Sequence, residues 1–163
     1  MSSKIYVISD THFRHKNMAL YRCFSSVEEH DQYIIDKWNS VVNKKDIVYL
    51  LGDCTMEKAT NYEILSKLNG IKKVVMGNHD KGNHVKKLLE YVSSVQSSVK
   101  IKGCILSHIP IHTMEMRRYT KNIHGHLHSK FVRKFFGVIR DKRYINVSCE
   151  VIGYTPIELN KLL

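Results

Sequence analysis

The sequence predicts an α/β protein in which helices flank mixed β-sheets. Three observations carry that prediction. Up to about residue 76, short apolar runs alternate with longer segments of helical periodicity, the order of a βαβ-type, largely parallel sheet. Beyond residue 95 the apolar runs become short and closely spaced, and Lys102-Gly103 reads as a hairpin turn between two of them. Asp, Asn and His residues follow directly on these runs, and open α/β sheets place their active sites at the carboxyl ends of strands.

Residues 4–9 (KIYVIS) are apolar and β-branched and read as a buried strand, with a loop over 10–17. Residues 26–42 place Val27, Tyr33, Ile34, Trp38, Val41 and Val42 near helical spacing. Ser26 is positioned to cap that helix, with Glu28 and Glu29 in its first turn. On it His30 reads as a surface residue, as does His84 further on. Residues 46–51 (DIVYLL) are the second strand, 57–68 a second amphipathic helix closed by Asn69-Gly70, and 71–76 the third strand. A helix over 85–91 follows, then a strand over 95–101 and its hairpin partner over 104–107. Short strands are expected over 122–124 and 144–147. Thr155-Pro156 opens a last helix over 157–163. Residues 112–120 are the least regular segment and are expected on the rim of a substrate site.

The 163 residues fit one domain spanning 1–163. A hydrophobic content of 43% and a charged content of 25% are ordinary for a soluble globular protein. No apolar run approaches the ~20 residues that span a bilayer, and the first residues lead straight into a strand, so no signal peptide is expected. Cys23, Cys54, Cys104 and Cys149 are scattered without a CxxC pair, which fits reduced thiols in the cytoplasm. These features speak against an integral membrane protein and a disulfide-framed secreted domain.

The formal net charge of +11 is unevenly spread. Residues 1–60 balance, whereas residues 117–143 carry nine Lys or Arg against the one acid Asp141. Such a field favours an anionic substrate and raises its encounter rate. Nucleic acid is a possible partner, although the aromatics do not read as interleaved with the basic residues in the manner of a stacking platform.

The residues that follow the strands form a series: Asp10-Thr-His12, Gly52-Asp53, Gly77-Asn78-His79-Asp80, Ser107-His108 and Gly125-His126-Leu-His128. This mixed nitrogen and oxygen set, with no thiolate, suits Mn, Fe, Zn, Ni or Co better than a structural zinc. It holds too many ligands for one ion and about enough for two.

In this order the five motifs resemble those of the calcineurin-like metallophosphoesterases, nearest to their small single-domain bacterial and phage members, over residues 5–156. The resemblance implies two packed mixed β-sheets flanked by helices, a four-layer α/β sandwich. It also implies two divalent metal ions, with Mn the first choice and Ni, Fe, Zn or Co the others. Asp10, His12, Asp53 and His128 would hold the first ion, and Asp53, Asn78, His108 and His126 the second. Asp53 would bridge them, a task for a carboxylate, whose two oxygens and negative charge separate two cations. The ions would sit ~3.5–4 Å apart. Metal-bound hydroxide would attack phosphorus in line, while His79 contacts the phosphate and protonates the leaving oxygen, a task suited to imidazole. Gly52, Gly77 and Gly125 would supply the tight turns that aim the ligands inward.

Other residues are assigned around that centre. His15 and Asn17 extend the first motif to DTHFRHKN and are expected beside the substrate. His112, four residues after His108 with Pro110 between, is a candidate substrate contact. Arg14, Arg117 and Arg118 are candidate phosphate clamps. Asp80 either orients His79, forms a salt bridge or caps the segment that follows, and His124 reads as a core residue or a support behind the ligands rather than as a ligand.

The function expected is metal-dependent hydrolysis of a phosphodiester, with monoesters also open. The substrate would be a nucleotide, a cyclic nucleotide or a nucleic-acid end. Two alternatives remain at this point: a catalytically inactive scaffold on the same fold, and a nucleic-acid-binding module without chemistry.

Overall fold

The computed structural model describes residues 3–55 and 58–163. Its elements run β1 (Ile5–Ile8), α1 (Lys16–Tyr21), α2 (Val27–Val41), β2 (Ile47–Leu50), a 3₁₀ helix (Ala59–Lys67) and β3 (Ile71–Val75). A short 3₁₀ turn (Gly82–His84) leads into α3 (Val85–Leu88), followed by β4 (Ser94–Gln96), β5 (Ser98–Ile101) and β6 (Cys104–Ser107). After a 3₁₀ turn (Glu115–Arg118) come β7 (Asn122–His124), β8 (Arg133–Lys134), β9 (Ile139–Arg140), β10 (Tyr144–Asn146) and β11 (Ile157–Glu158), followed by a 3₁₀ turn (Leu159–Lys161).

Among the described residues the strands form two mixed sheets and a separate hairpin. The larger has the order β11-β1-β2-β3-β4 and the smaller β10-β7-β6-β5, while β8 and β9 pair only with each other. β1 to β4 are mutually parallel, with β11 antiparallel on the outer edge of β1. β6, β7 and β10 are parallel, with β5 antiparallel to β6.

Alternation along the strands accounts for the packing. Side chains one residue apart point to opposite faces, and here both faces are apolar. Val7, Tyr49, Leu51 and Val75 meet Leu106, Ile123 and Val147 in the core between the sheets. Tyr6, Ile8, Val48, Leu50 and Val74 face the other way and bury Ile34, Ile35 and Trp38 of α2 together with Tyr62, Ile64 and Leu65. Ser26 caps α2 as expected, its hydroxyl accepting from Glu29 N–H at 3.1 Å.

Several local expectations change in the folded chain. The segment read as an amphipathic α-helix over 57–68 is a 3₁₀ helix from Ala59 (residue 57 lies outside the described residues). Three residues per turn align Tyr62, Leu65 and Leu68 on one face, and all three are buried. The helix expected over 85–91 is α-helical only over Val85–Leu88. The strand expected over 95–101 is two strands, because the chain leaves the larger sheet after β4 and enters the smaller one at β5. Residues 157–158 are strand rather than helix: they pair with Val7 and Tyr6 and so satisfy the outer edge of β1. The loop over 10–17 is shorter than expected, since α1 begins at Lys16. His30 is fully buried rather than exposed, held between Arg22 (2.9 Å) and Asp31 (3.0 Å). No helix among the described residues is long and apolar enough to cross a membrane.

Candidate metal centre

Parallel strand order brings the motif residues to one end of the molecule. Asp10 follows β1, Asp53 follows β2, Asn78 follows β3, His108 follows β6, and His126 and His128 follow β7. A parallel bridge between Ser9 and Ser148 joins the ends of β1 and β10, and so sets the ends of both sheets side by side. Ser9 N–H donates to Val147 O (3.0 Å) and Cys149 N–H to Ser9 O (3.1 Å) along that seam.

The backbone turns sharply at the ligand positions. Asp10 (φ 58), His12 (φ 47), Asp53 (φ 51), His126 (φ 66) and His128 (φ 48) all occupy the left-handed region. Each such non-glycine residue costs on the order of 1–3 kcal/mol and persists only where its surroundings hold it. Asp80 supplies part of that hold. Its carboxylate accepts from the backbone N–H groups of Asp53 (2.8 Å), Gly77 (2.9 Å) and Cys54 (3.1 Å), tying the β2 loop to the β3 loop. Gly77 and Gly125 are needed for close approach. A side chain at Gly77 would run into the Asp53 carboxylate, and one at Gly125 into Ser9 and Asp10.

The carboxylates are held by donors that leave oxygen atoms facing the imidazoles. Asp10 accepts from His126 N–H (3.0 Å) and from the Ser148 hydroxyl (2.9 Å), and its Oδ1 lies 4.0 Å from His12 Nε2. Asp53 Oδ1 accepts from His79 N–H (2.9 Å), while Oδ2 lies 3.4 Å from His108 Nε2 and 3.7 Å from His12 Nε2. Burial pushes the Asp53 carboxyl up, but the hydrogen bond and charge of His108, with the His79 N–H and His12, outweigh it and hold it at about 2. Asn78 Oδ1 lies 2.9 Å from both His108 Nε2 and His126 Nδ1.

This donor set fits a divalent cation. His12 is buried, neither of its ring nitrogens has a hydrogen-bond partner among the described residues, and burial drives its pKa down to about 3, so it is a neutral imidazole at neutral pH. His108 Nδ1 donates to the Leu51 carbonyl at 2.8 Å. In the neutral tautomer its Nε2 lone pair therefore points at the oxygens of Asn78 and Asp53. Lone pairs facing one another need a proton or a cation between them. Burial lowers the His108 pKa, but the hydrogen bond and charge of Asp53 raise it further, and the net shift is upward.

Among the described residues, two groups of ligand atoms lie close enough to hold an ion, each with all atoms within 4.8 Å of one another: Asp10, His12 and His128, and Asp10, Asp53 and His108. Asp10 stands in both groups. Asn78 and His126 join the second through the contacts of Asn78 Oδ1.

The remaining candidates divide by place. His79 is half-buried, with its ring centroid 5.5 Å from that of His12 and 6.4 Å from that of His15. His15 caps α1 by accepting from Met18 N–H (3.2 Å), and its ring is 5.5 Å from His12. Burial, followed by the nearby His79, lowers its pKa. His15 and Asn17 line a cavity of about 440 Å³ with Arg14, Lys16, Lys58 and Asn61. A second cavity of about 330 Å³ lies against Asn78 and His108. His112, Arg117 and Arg118 are exposed on the segment after β6. There His112 Nδ1 accepts from Met114 N–H (3.3 Å) and Arg118 pairs with Glu115 (3.7 Å).

Sequence reasoning missed two residues. Glu150 Oε1 accepts from His128 Nδ1 at 2.9 Å. Arg22, buried, donates to that same oxygen (2.8 Å) and to the backbone oxygens of Asp10 (2.6 Å) and Thr11 (3.2 Å). Glu150 had a legible signal, since it follows a strand just as the other motif residues do. Arg22 had none, because its contacts are all made by the tertiary fold.

Two packed mixed sheets with an Asp/His/Asn cluster at their shared strand ends define a metallophosphoesterase fold. The chain belongs to the calcineurin-like phosphoesterase superfamily, a superfamily of metal-dependent phosphoesterases, whose domain model matches residues 4–147. It is 38% identical over 165 residues to an uncharacterized protein of Methanocaldococcus jannaschii, covering 98% of this chain and 89% of that one. Among solved structures it is similar to AQ665, a protein of unknown function from Aquifex aeolicus, with a TM-score of 0.71, 28% identity, and coverage of 99% and 100% of the two chains. The fold is shared with an archaeal phosphodiesterase (TM-score 0.53, 20% identity, coverage 98% and 96%). It is shared too with the Pseudomonas putida nuclease MPE (TM-score 0.54, 17% identity, coverage 80% and 64%).

Proposed function

We propose that this chain, acting as one domain, is a phosphodiesterase with a dinuclear centre and a nucleotide-derived substrate. The observation that carries the reading is the pair of overlapping ligand groups, which meet at Asp10, with Asp53 Oδ2 set between His12 Nε2 (3.7 Å) of one group and His108 Nε2 (3.4 Å) of the other. Asp10, His12, Asp53 and His128 would hold one divalent cation, and Asp53, Asn78, His108 and His126 the other. Bound cations would supply the positive charge that acidifies water and stabilises anionic phosphoryl oxygens.

The chain's own residues do the rest. Asp80 and the seam at Ser9 fix the loops, so the ligands are organised before substrate arrives. Asp53 keeps its negative charge because His108 and the His79 N–H hold its proton affinity down. His79 stands beside His12 and His15, near enough to the cluster to contact a phosphate and to give a proton to the leaving oxygen. His15 and Asn17 on one side, with Arg14 and Lys16, offer a cationic wall for the non-reacting part of an anionic substrate.

The test is turnover of bis(p-nitrophenyl) phosphate and a panel of cyclic nucleotides, nucleotide monoesters and dinucleotides, with Mn, Ni, Zn and Mg supplied in turn. Metal-dependent release of nitrophenol with two equivalents of metal per chain is the expected result. Folded protein that binds no metal and turns over no ester would overturn the reading.

A further inference from the structure

The hairpin of β8 and β9 stands outside both sheets and has no role in the chemistry above. Arg133 pairs with Arg140 and Lys134 with Ile139 across it. Its tip carries Phe135, Phe136 and Val138 into solvent, and Phe136 is completely exposed. Large apolar groups clustered at an exposed tip mark a contact surface more often than a scattered surface residue does.

Cations are interleaved with these aromatics. The Arg140 guanidinium lies 3.7 Å from the Phe131 ring centroid, and Lys134 Nζ is 5.4 Å from that of Phe135. The acid available between residues 129 and 143 is Asp141, which is taken by Arg143 at 2.6 Å. Lys130, Arg133, Lys134 and Arg140 therefore present positive charge around an aromatic tip.

The root of the hairpin is fastened to the ligand cluster. Asn146 Nδ2 donates to the backbone oxygens of His128 (2.7 Å) and Lys130 (2.8 Å), and Asp141 N–H donates to Val132 O (2.9 Å). A polyanion held by the hairpin would thus run toward His128.

We propose that residues 130–140 form a grip for single-stranded nucleic acid, with bases stacking on Phe135 and Phe136 and phosphates met by Lys130, Arg133, Lys134 and Arg140. The surface asks for a partner that offers flat faces and negative charge together. A single strand does so, whereas a duplex hides its base faces. A second copy of this chain would bring the same positive charge and repel it. The catalytic consequence, delivery of a strand to the cluster, rests on the phosphodiesterase reading, but binding by the hairpin does not.

The experiment uses the full chain with metals chelated, so that binding is read without cleavage. Fluorescence anisotropy follows a labelled oligothymidylate about ten nucleotides long, within the span of known single-strand sites. The double substitution Phe135→Ala with Phe136→Ala should weaken binding about tenfold or more, since each lost base stack contributes that order. Melting temperature and metal-supported turnover of bis(p-nitrophenyl) phosphate should be unchanged. Arg133→Ala with Lys134→Ala should flatten the salt dependence of binding, since fewer counterions are released.

Native protein that fails to bind the oligothymidylate, or a double Phe variant that binds it as tightly as native, overturns the proposal. So does Phe-dependent binding to phosphatidylserine vesicles, or Phe-dependent self-association, without oligothymidylate binding. If the oligothymidylate binds in a Phe-dependent way but no ester is hydrolysed, the grip stands and the phosphodiesterase reading falls.

Discussion

Glu150 Oε1 lies 2.9 Å from His128 Nδ1, and it accepts from Arg22 at 2.8 Å as well. A carboxylate can only accept here, so His128 carries its proton on Nδ1 and turns the Nε2 lone pair outward. Burial pushes the Glu150 carboxyl up, but the His128 hydrogen bond and the charge of Arg22 outweigh it and hold it at about 2. Glu150→Gln should therefore lower metal affinity roughly 10–100-fold, the usual effect of losing a carboxylate behind a metal-bound histidine. Equilibrium dialysis with metal analysis checks it. Metal affinity equal to that of native protein would show that Glu150 serves only to neutralise Arg22.

Asp53 stands between His12 and His108, with Oδ2 within 3.7 Å of both ring nitrogens. Asp53→Asn should abolish turnover and reduce bound metal, because a neutral amide leaves two cations unscreened from one another. Purified, folded variant with two metals bound and near-native kinetics would remove Asp53 from the bridging position.

His79 offers a different signature. His79→Ala should keep both metals and slow hydrolysis by roughly 10²–10⁴, the range for loss of a general acid. The loss should be smaller for a nitrophenolate leaving group, which hardly needs a proton, than for a ribose oxygen. Equal losses for both would reduce its role to holding phosphate, and loss of metal would make it a ligand.

The strand-end motifs were legible because each is local: a short apolar run, then Asp, Asn or His. Their convergence follows from parallel order, which the βαβ alternation predicts for β1 to β3. Period-two patterning does not reveal which sheet a strand joins. The division of residues 95–101 between β4 and β5, and the pairing of β11 with β1, were invisible for that reason. His30 looked like a surface residue because its partners Arg22 and Asp31 are polar, and burial of a satisfied polar network leaves no hydrophobic trace. The aromatic and basic alternation over 131–140 was present in the sequence but does not read as a platform until a hairpin sets Phe135 and Phe136 at a tip. Glu150 is the missed residue that the strand-end rule itself could have found.

Asp46 offers a test of the scaffold rather than the site. It sits at the entry to β2, buried, with Oδ1 accepting from Lys4 N–H (2.8 Å) and Oδ2 from Asn43 N–H (2.8 Å) and Asn43 Nδ2 (3.3 Å). Burial pushes its pKa up, but these hydrogen bonds and the Lys4 charge outweigh it, so the folded value lies below the ordinary 3.8. A carboxyl with a depressed folded pKa contributes stability that is present above its unfolded value and is lost as pH falls through the folded one. Asp46→Asn turns an amide N–H toward the Asn43 donors and should cost about 1–2 kcal/mol at neutral pH. The gap between native and variant should then narrow as pH falls below 3.8, where the native carboxyl also takes up a proton. Urea unfolding of both proteins at neutral pH and at successively lower pH measures that gap directly. A gap that stays constant across the acid range would mean that Asp46 acts through shape alone, and not through its charge.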